Sequence, residues 1–282
     1  MNAWLSAFVF WPCVMGLVAP GRAEEKTKGV RISRQTVQLQ GRTVKVDLYL
    51  PMSDRGAPVA ILAHGFTREP KFFKAWGQVL AENGITTAIP ELPFFSNHAG
   101  NARGMTELLR LLQKGGLGQG VRPSGKAAFL GHSAGSLSAL LAAEEMGDQV
   151  ECWVGLDPVD SRGLGLSAAA SQRVPSLMFF AEPGLFNRRC KALNWVPAYG
   201  GPIWALHVDG SSHADPEKPT SLLSRLFVGG WDEARHAIYE EYTLAILKWA
   251  FFGDVSAERR LQLSCRDKRV TVLRKDVEEK PK

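Results

Sequence analysis

Hydrophobic positions along the chain fall into two alternating patterns. In TVQLQGRTVKVDLYLP, residues 36–51, apolar and polar residues alternate about Gly41, which predicts a two-stranded hairpin ending at Pro51. PVAILAHG is a continuous apolar run closed by Gly65; FFKAWGQVLAENG has helical spacing and ends at Gly84; ITTAIPEL is again a short apolar run. The alternation continues with a helix in NARGMTELLRLLQKGG, a strand over 126–130 and a helix after Ser133. Strands then follow in VECWVGLD, VPSLMFFAE and PIWALHVDG, and a long helix in WDEARHAIYEEYTLAILKWAFFG. Apolar strands separated by helices predict one α/β domain, residues 24–253, with a mainly parallel sheet, helices on both faces and the hairpin as its antiparallel edge.

Within this series, KAAFLGHSAGSLSALLAAEEM places a Gly-x-Ser-x-Gly string between a buried strand and a helix. A sharp strand-to-helix turn lifts the serine oxygen above the sheet, and it leaves no room for side chains beside it. Gly131 and Gly135 supply that room, and Ser133 becomes a candidate nucleophile. The same turn aims the amide of Ala134, first in the new helix, where an oxyanion would form.

A serine hydroxyl needs a base to take its proton and a third group to orient that base. Of the six histidines, His213 fits best, because GSSHADPE lies just past the last apolar strand in a loop of small residues. His64 and His132 stand in the turns themselves, where His132 should point away from Ser133. His207 falls inside a strand, His236 inside a helix, and His98 in the loop LPFFSNHAGNARG, which could border a site. For the acid, Asp157 follows VECWVGL directly and Pro158 would fix its loop; Glu182, after the next strand, is the alternative, and Asp160 reads more simply as a turn residue. LAHGF ends its strand in Gly65, so the amide of Phe66 or Thr67 can face that of Ala134 across the site.

Composition changes this picture little. With 45% apolar and 22% charged residues among 282, the chain is ordinary for a single α/β core. A formal charge of +6 comes with no nucleic-acid-binding signature, so no nucleic-acid partner is expected, and no Cys/His spacing matches a zinc site. No metal or cofactor is called for. The N-terminal apolar run from Ala3 to Val18, followed by Pro20, Gly21 and Ala23, reads as a signal peptide over residues 1–23, cleaved after Ala23. A secreted or periplasmic location and no stable membrane span follow, an uncleaved anchor being the other reading. Cleavage would leave Cys152, Cys190 and Cys265; Cys152 reads as buried, and the other two as either paired or free. Residues 254–282, with nine Lys or Arg against six Asp or Glu, read as a basic tail, either solvated and frayed or making an electrostatic surface contact.

Taken together, HGF, GHSAG and GSSHADP in this order resemble the α/β-hydrolase family over essentially all of the mature chain. LDPVD resembles the corresponding stretch of chlorophyllases, and the general layout is similar to platelet-activating-factor acetylhydrolase and cutinase-like polyester hydrolases. The resemblance implies an eight-stranded, mostly parallel sheet and a serine esterase acting on a small or lipid-like ester. It favours Asp157, since cutinase-like enzymes carry their aspartate at the position matched by Gly184 in this chain, whereas chlorophyllase-like ones carry it at the position of Asp157. Chlorophyllases have a bulkier basic residue where Ala134 stands, so a chlorophyll substrate is not implied. Only sixteen residues separate Asp157 from Val174, too few for a helical cap, so an open site is expected near Phe66, Phe94, Phe95 and Trp153. An inactive binding protein of the same fold, and a peptidase or acyltransferase using the same three side chains, are the alternative readings.

Overall fold

The computed structural model describes residues 25–27, 29–52, 56–115, 117, 124–220 and 229–276. The signal peptide expected over residues 1–23 lies outside them. The chain is α/β, with a single sheet in the order β1-β2-β3-β5-β4-β6-β7-β8-β9-β10. Its strands are β1 (Glu25–Thr27), β2 (Val30–Leu39), β3 (Arg42–Pro51), β4 (Val59–Ala63), β5 (Thr86–Pro90), β6 (Ala127–His132), β7 (Cys152–Leu156), β8 (Ser176–Phe180), β9 (Ile203–Val208) and β10 (Val270–Lys275). Strands β5, β4, β6, β7, β8 and β9 are parallel neighbours. The expected hairpin is the antiparallel pair β2 and β3.

Among the described residues the sheet has ten strands where eight were expected. The extra edges are β1 beside β2 and β10 beside β9, both antiparallel. The second lies in the segment read as a basic tail. There Asp254 caps a helix, α7 (Val255–Gln262), by accepting from the amides of Ser256 and Ala257, and Val270 pairs with Val208 in the sheet. Arg274 then donates to the carbonyls of Val196 and Tyr199 at 2.6 and 3.1 Å. Through Asp276 this segment is docked.

The central strands β4 to β8 are buried at every position because both of their faces are covered. Along them, Ile61, Phe129, Trp153 and Met178 point into one core, closed by the helices α2 (His98–Gln113), α3 (Ala134–Met146), α4 (Leu164–Ser171) and α5 (Trp195–Ala198). Their neighbours Leu62, Leu130, Val154 and Leu177 point into the other, beneath α1 (Lys74–Glu82) and α6 (Glu233–Phe252). A period of two thus divides one strand between two cores. Removing a leucine side chain such as Leu130, fully buried here, costs about 2–5 kcal/mol.

Topology positions the site. After β4 the chain crosses to β5 on one side, then returns to β6 on the other side of β4. At such a switch point the loops leaving the carboxyl ends of β4 and β6 diverge and open a crevice. Gly65 follows β4 and Ser133 follows β6, so both residues border that crevice.

Candidate active site

Ser133 connects β6 to α3 with φ 56° and ψ −126°, a left-handed conformation for a non-glycine residue. Such backbone costs about 1–3 kcal/mol and persists only where surrounding contacts enforce it. Here the amide of Ser133 donates to the carbonyl of Leu156 at 3.0 Å, and its own carbonyl accepts from Ser136 and Val159 at 3.0 and 3.2 Å. The flanking glycines allow the turn to fit. A Cβ at Gly135 would lie 2.4 Å from the carbonyl oxygens of Ala63 and His64, and one at Gly131 would strike the backbone of Gly135.

The structure brings Ser133, His213 and Asp157 together. Ser133 Oγ and His213 Nε2 are 2.8 Å apart, and His213 Nδ1 lies 2.5 Å from Asp157 Oδ2. With Nδ1–H donating to the carboxylate, Nε2 is left with its lone pair toward the serine hydroxyl. All three residues are buried. Asp157 has φ 46° and leaves β7 directly; its other oxygen, Oδ1, accepts from the amide of Ala181 at 3.1 Å.

Glu182, the alternative acid, is elsewhere. Its carboxylate is exposed, accepts from the amide of Gly210 at 3.1 Å, and lies 3.6 Å from His207. The remaining histidines also find other partners. His64 donates from Nδ1 to the carbonyl of Gly65 at 2.9 Å, His236 contacts the carbonyl of Asp215 at 2.8 Å, and His98 lines the outer cleft. Burial holds the imidazoles of His64, His98 and His236 below their usual range.

Three features were not drawn from the sequence. His132 turns away from Ser133 as expected, but toward the base: its Nε2–H donates to the carbonyl of His213 at 2.9 Å, and the two rings are 4.7 Å apart. Burial, and then the neighbouring His213, hold its pKa well below the usual value. Asn187 donates to Asp157 Oδ2 at 2.8 Å and to the carbonyl of Glu182 at 3.1 Å. Arg68 grips Glu217 through two N–H bonds of 2.5 Å, with Glu217 fully buried. That pair ties the turn after Gly65 to the loop that carries His213. Backbone bonds extend the seam, with Lys218 donating to Phe72 at 2.8 Å and Trp76 Nε1–H donating to the carbonyl of Pro216 at 2.7 Å.

Phe66 and Ala134, the expected oxyanion donors, both border a cleft of about 360 Å³. The amide of Ala134 opens α3, so it has no partner within the helix. Phe66 also borders a smaller cavity of about 40 Å³ with Ser133, His213 and Phe186. The outer cleft is walled by Phe66, Phe94 and Phe95, the first and last with ring centres 4.3 Å apart. Trp153 is instead fully buried in the core. No long helical insertion follows β7: the chain passes from Asp157 through the eight-residue α4 to β8.

The thiols of Cys152, Cys190 and Cys265 are all free. Among the described residues, no group of three or more His, Cys, Asp or Glu is placed to hold a metal ion, and no helix is long and apolar enough to cross a membrane. No protein-family model matches this chain, and no curated protein matches its sequence.

Proposed function

We propose that the chain is a serine hydrolase of the α/β-hydrolase type, cleaving carboxylic esters through an acyl-enzyme. The observation that carries this reading is the continuous relay of 2.8 and 2.5 Å from Ser133 through His213 to Asp157. A serine in a strained turn, with a buried base and a buried carboxylate in line, is the arrangement that nucleophilic acyl transfer requires. A protein that only binds a ligand has no need of it.

In this reading Ser133 Oγ attacks the ester carbonyl while His213 Nε2 takes its proton. Asp157 holds the imidazole in the productive tautomer and stabilises the imidazolium that forms. The amides of Phe66 and Ala134 receive the tetrahedral oxyanion. His213 then protonates the departing alcohol, and water, activated by the same nitrogen, releases the acid. The reading extends to a secreted or periplasmic enzyme, on the strength of the N-terminal apolar run.

The test is release of p-nitrophenol from acetate, butyrate, octanoate and palmitate esters by the mature chain beside Ser133→Ala. A fall of about a thousandfold or more in kcat/KM is expected in the variant. Equal, near-background rates in both folded proteins would remove the reading.

A further inference from the structure

Phe186 also borders a second cleft of about 330 Å³, which Phe66 does not line. Phe186 is a shared wall: its ring stacks on His213 with centres 6.1 Å apart, and it lines both this cleft and the small cavity over Ser133. Pro158, Val159 and Leu185 give the cleft an apolar lining, and Arg188, Arg189 and Lys191 give it three cations. The only carboxylate in that lining, Asp160, is already engaged by Trp195 Nε1–H and the amide of Gly165, both at 3.1 Å. Among the described residues no carboxylate pairs with the side chains of Arg188, Arg189 or Lys191.

This loop is held in register with the triad. Asn187, immediately before the two arginines, bonds to Asp157 and accepts from the amides of Gly184 and Cys190 at 2.5 and 2.8 Å. Three cations with no carboxylate partner among the described residues, set beside an apolar wall, raise the local concentration of anions, and the guanidinium forks match a carboxylate. The volume suits a small organic group.

Resting on the esterase reading, we infer that this cleft is a substrate subsite, and that the preferred esters carry an anionic group, such as a carboxylate, at one end of an apolar spacer. The cleft of Phe66, Phe94 and Phe95, whose lining also holds Arg68, Glu69 and Glu91 and so carries no excess of cations, takes the other end.

Two matched pairs of soluble esters test the inference with the mature full chain. Mono-p-nitrophenyl glutarate against p-nitrophenyl pentanoate places the charge on the acyl side; 4-acetoxybenzoate against its methyl ester places it on the alcohol side. Rates are normalised to alkaline hydrolysis of each ester. In at least one pair the anionic ester should be favoured by roughly tenfold in kcat/KM at low salt, mostly through KM, and the ratio should shrink in high salt. The triple variant Arg188→Gln/Arg189→Gln/Lys191→Gln should bring that ratio toward one. Lys114→Gln/Arg259→Gln/Lys268→Gln, which removes the same charge elsewhere, should not.

Neutral esters turned over with no anionic preference in either pair would overturn the subsite alone. So would an equal effect of the two triple variants, which would assign the preference to overall charge. A neutral ester accelerated only when held in phosphatidylglycerol rather than phosphatidylcholine vesicles, without preference among soluble esters, would place the anion on a surface and also overturn it. No turnover of any ester by the wild-type chain would instead remove the esterase reading and the subsite with it.

Discussion

The two walls beside Ser133 treat charge in opposite ways. On the wall of Gly65 and His213, Arg68 and Glu217 are withdrawn from water and joined by two hydrogen bonds. On the wall of Phe186, Arg188, Arg189 and Lys191 stand exposed. A buried pair fixes geometry, because either partner alone would be a stranded charge. An exposed, unpaired cation fixes nothing within the fold and is available to a ligand. In the proposed esterase the first wall would therefore serve the chemistry, which needs exact placement, and the second discrimination among substrates.

The sharpest way to break this comparison is at the acid. Asp157→Asn should lower kcat by about ten-thousandfold, since the amide no longer selects the productive tautomer of His213. Glu182→Gln should leave kcat within about twofold, as Glu182 contacts neither Ser133 nor His213. Steady-state kinetics on one p-nitrophenyl ester checks both, and a reversed order would return the role to Glu182.

Next is the fixed wall. Arg68→Met removes both guanidinium bonds to the buried Glu217 carboxylate, which should cost about 3–5 kcal/mol of stability. It should also lower kcat by about ten- to a hundredfold per titrated site, through a displaced oxyanion turn. Adding Glu217→Gln should recover most of the stability, measured by denaturant unfolding, but not kcat. Full recovery of kcat would make the pair a support of the fold only.

A smaller effect is expected across the triad acid. Asn187→Ala removes one of the donors to Asp157 and should lower kcat by roughly tenfold with little change in KM. Unchanged kcat would show that the amide of Ala181 suffices.

The smallest effect is on stability with pH. His64, His132 and His236 have folded-state pKa values below the unfolded value, chiefly through burial. Between the folded values and about 6.5 the unfolded chain binds more protons, so their contribution to stability falls as pH is lowered through that window. Thermal melts from pH 7 to pH 5 should show a declining Tm that is less steep in His132→Gln; an unchanged slope would mean that other groups control it.

Much of this arrangement was legible because it is local. The buried run before Gly131 and the helical spacing after Gly135 place Ser133 in an elbow, and the small residues around His213 place a base in a loop past an apolar strand. Asp157 and Glu182 were harder to separate, since each follows a strand and composition treats them alike. What separates them is the left-handed backbone at Asp157 and the side-chain bond from Asn187, thirty residues along the chain. Arg68 and Glu217, 149 residues apart, look like two ordinary surface charges until the fold joins them. The edge strand β10 was hidden for another reason: its apolar residues sit among Arg and Lys, as suits an edge that must not pair with other chains.

The most direct measurement is labelling of the mature chain with a fluorophosphonate, followed by mass-spectrometric mapping of the adduct. The account predicts one label per chain on Ser133, formed quickly in the wild type and at least a thousandfold more slowly in His213→Ala. Absence of label from the folded wild type, or an adduct on another residue, would contradict it.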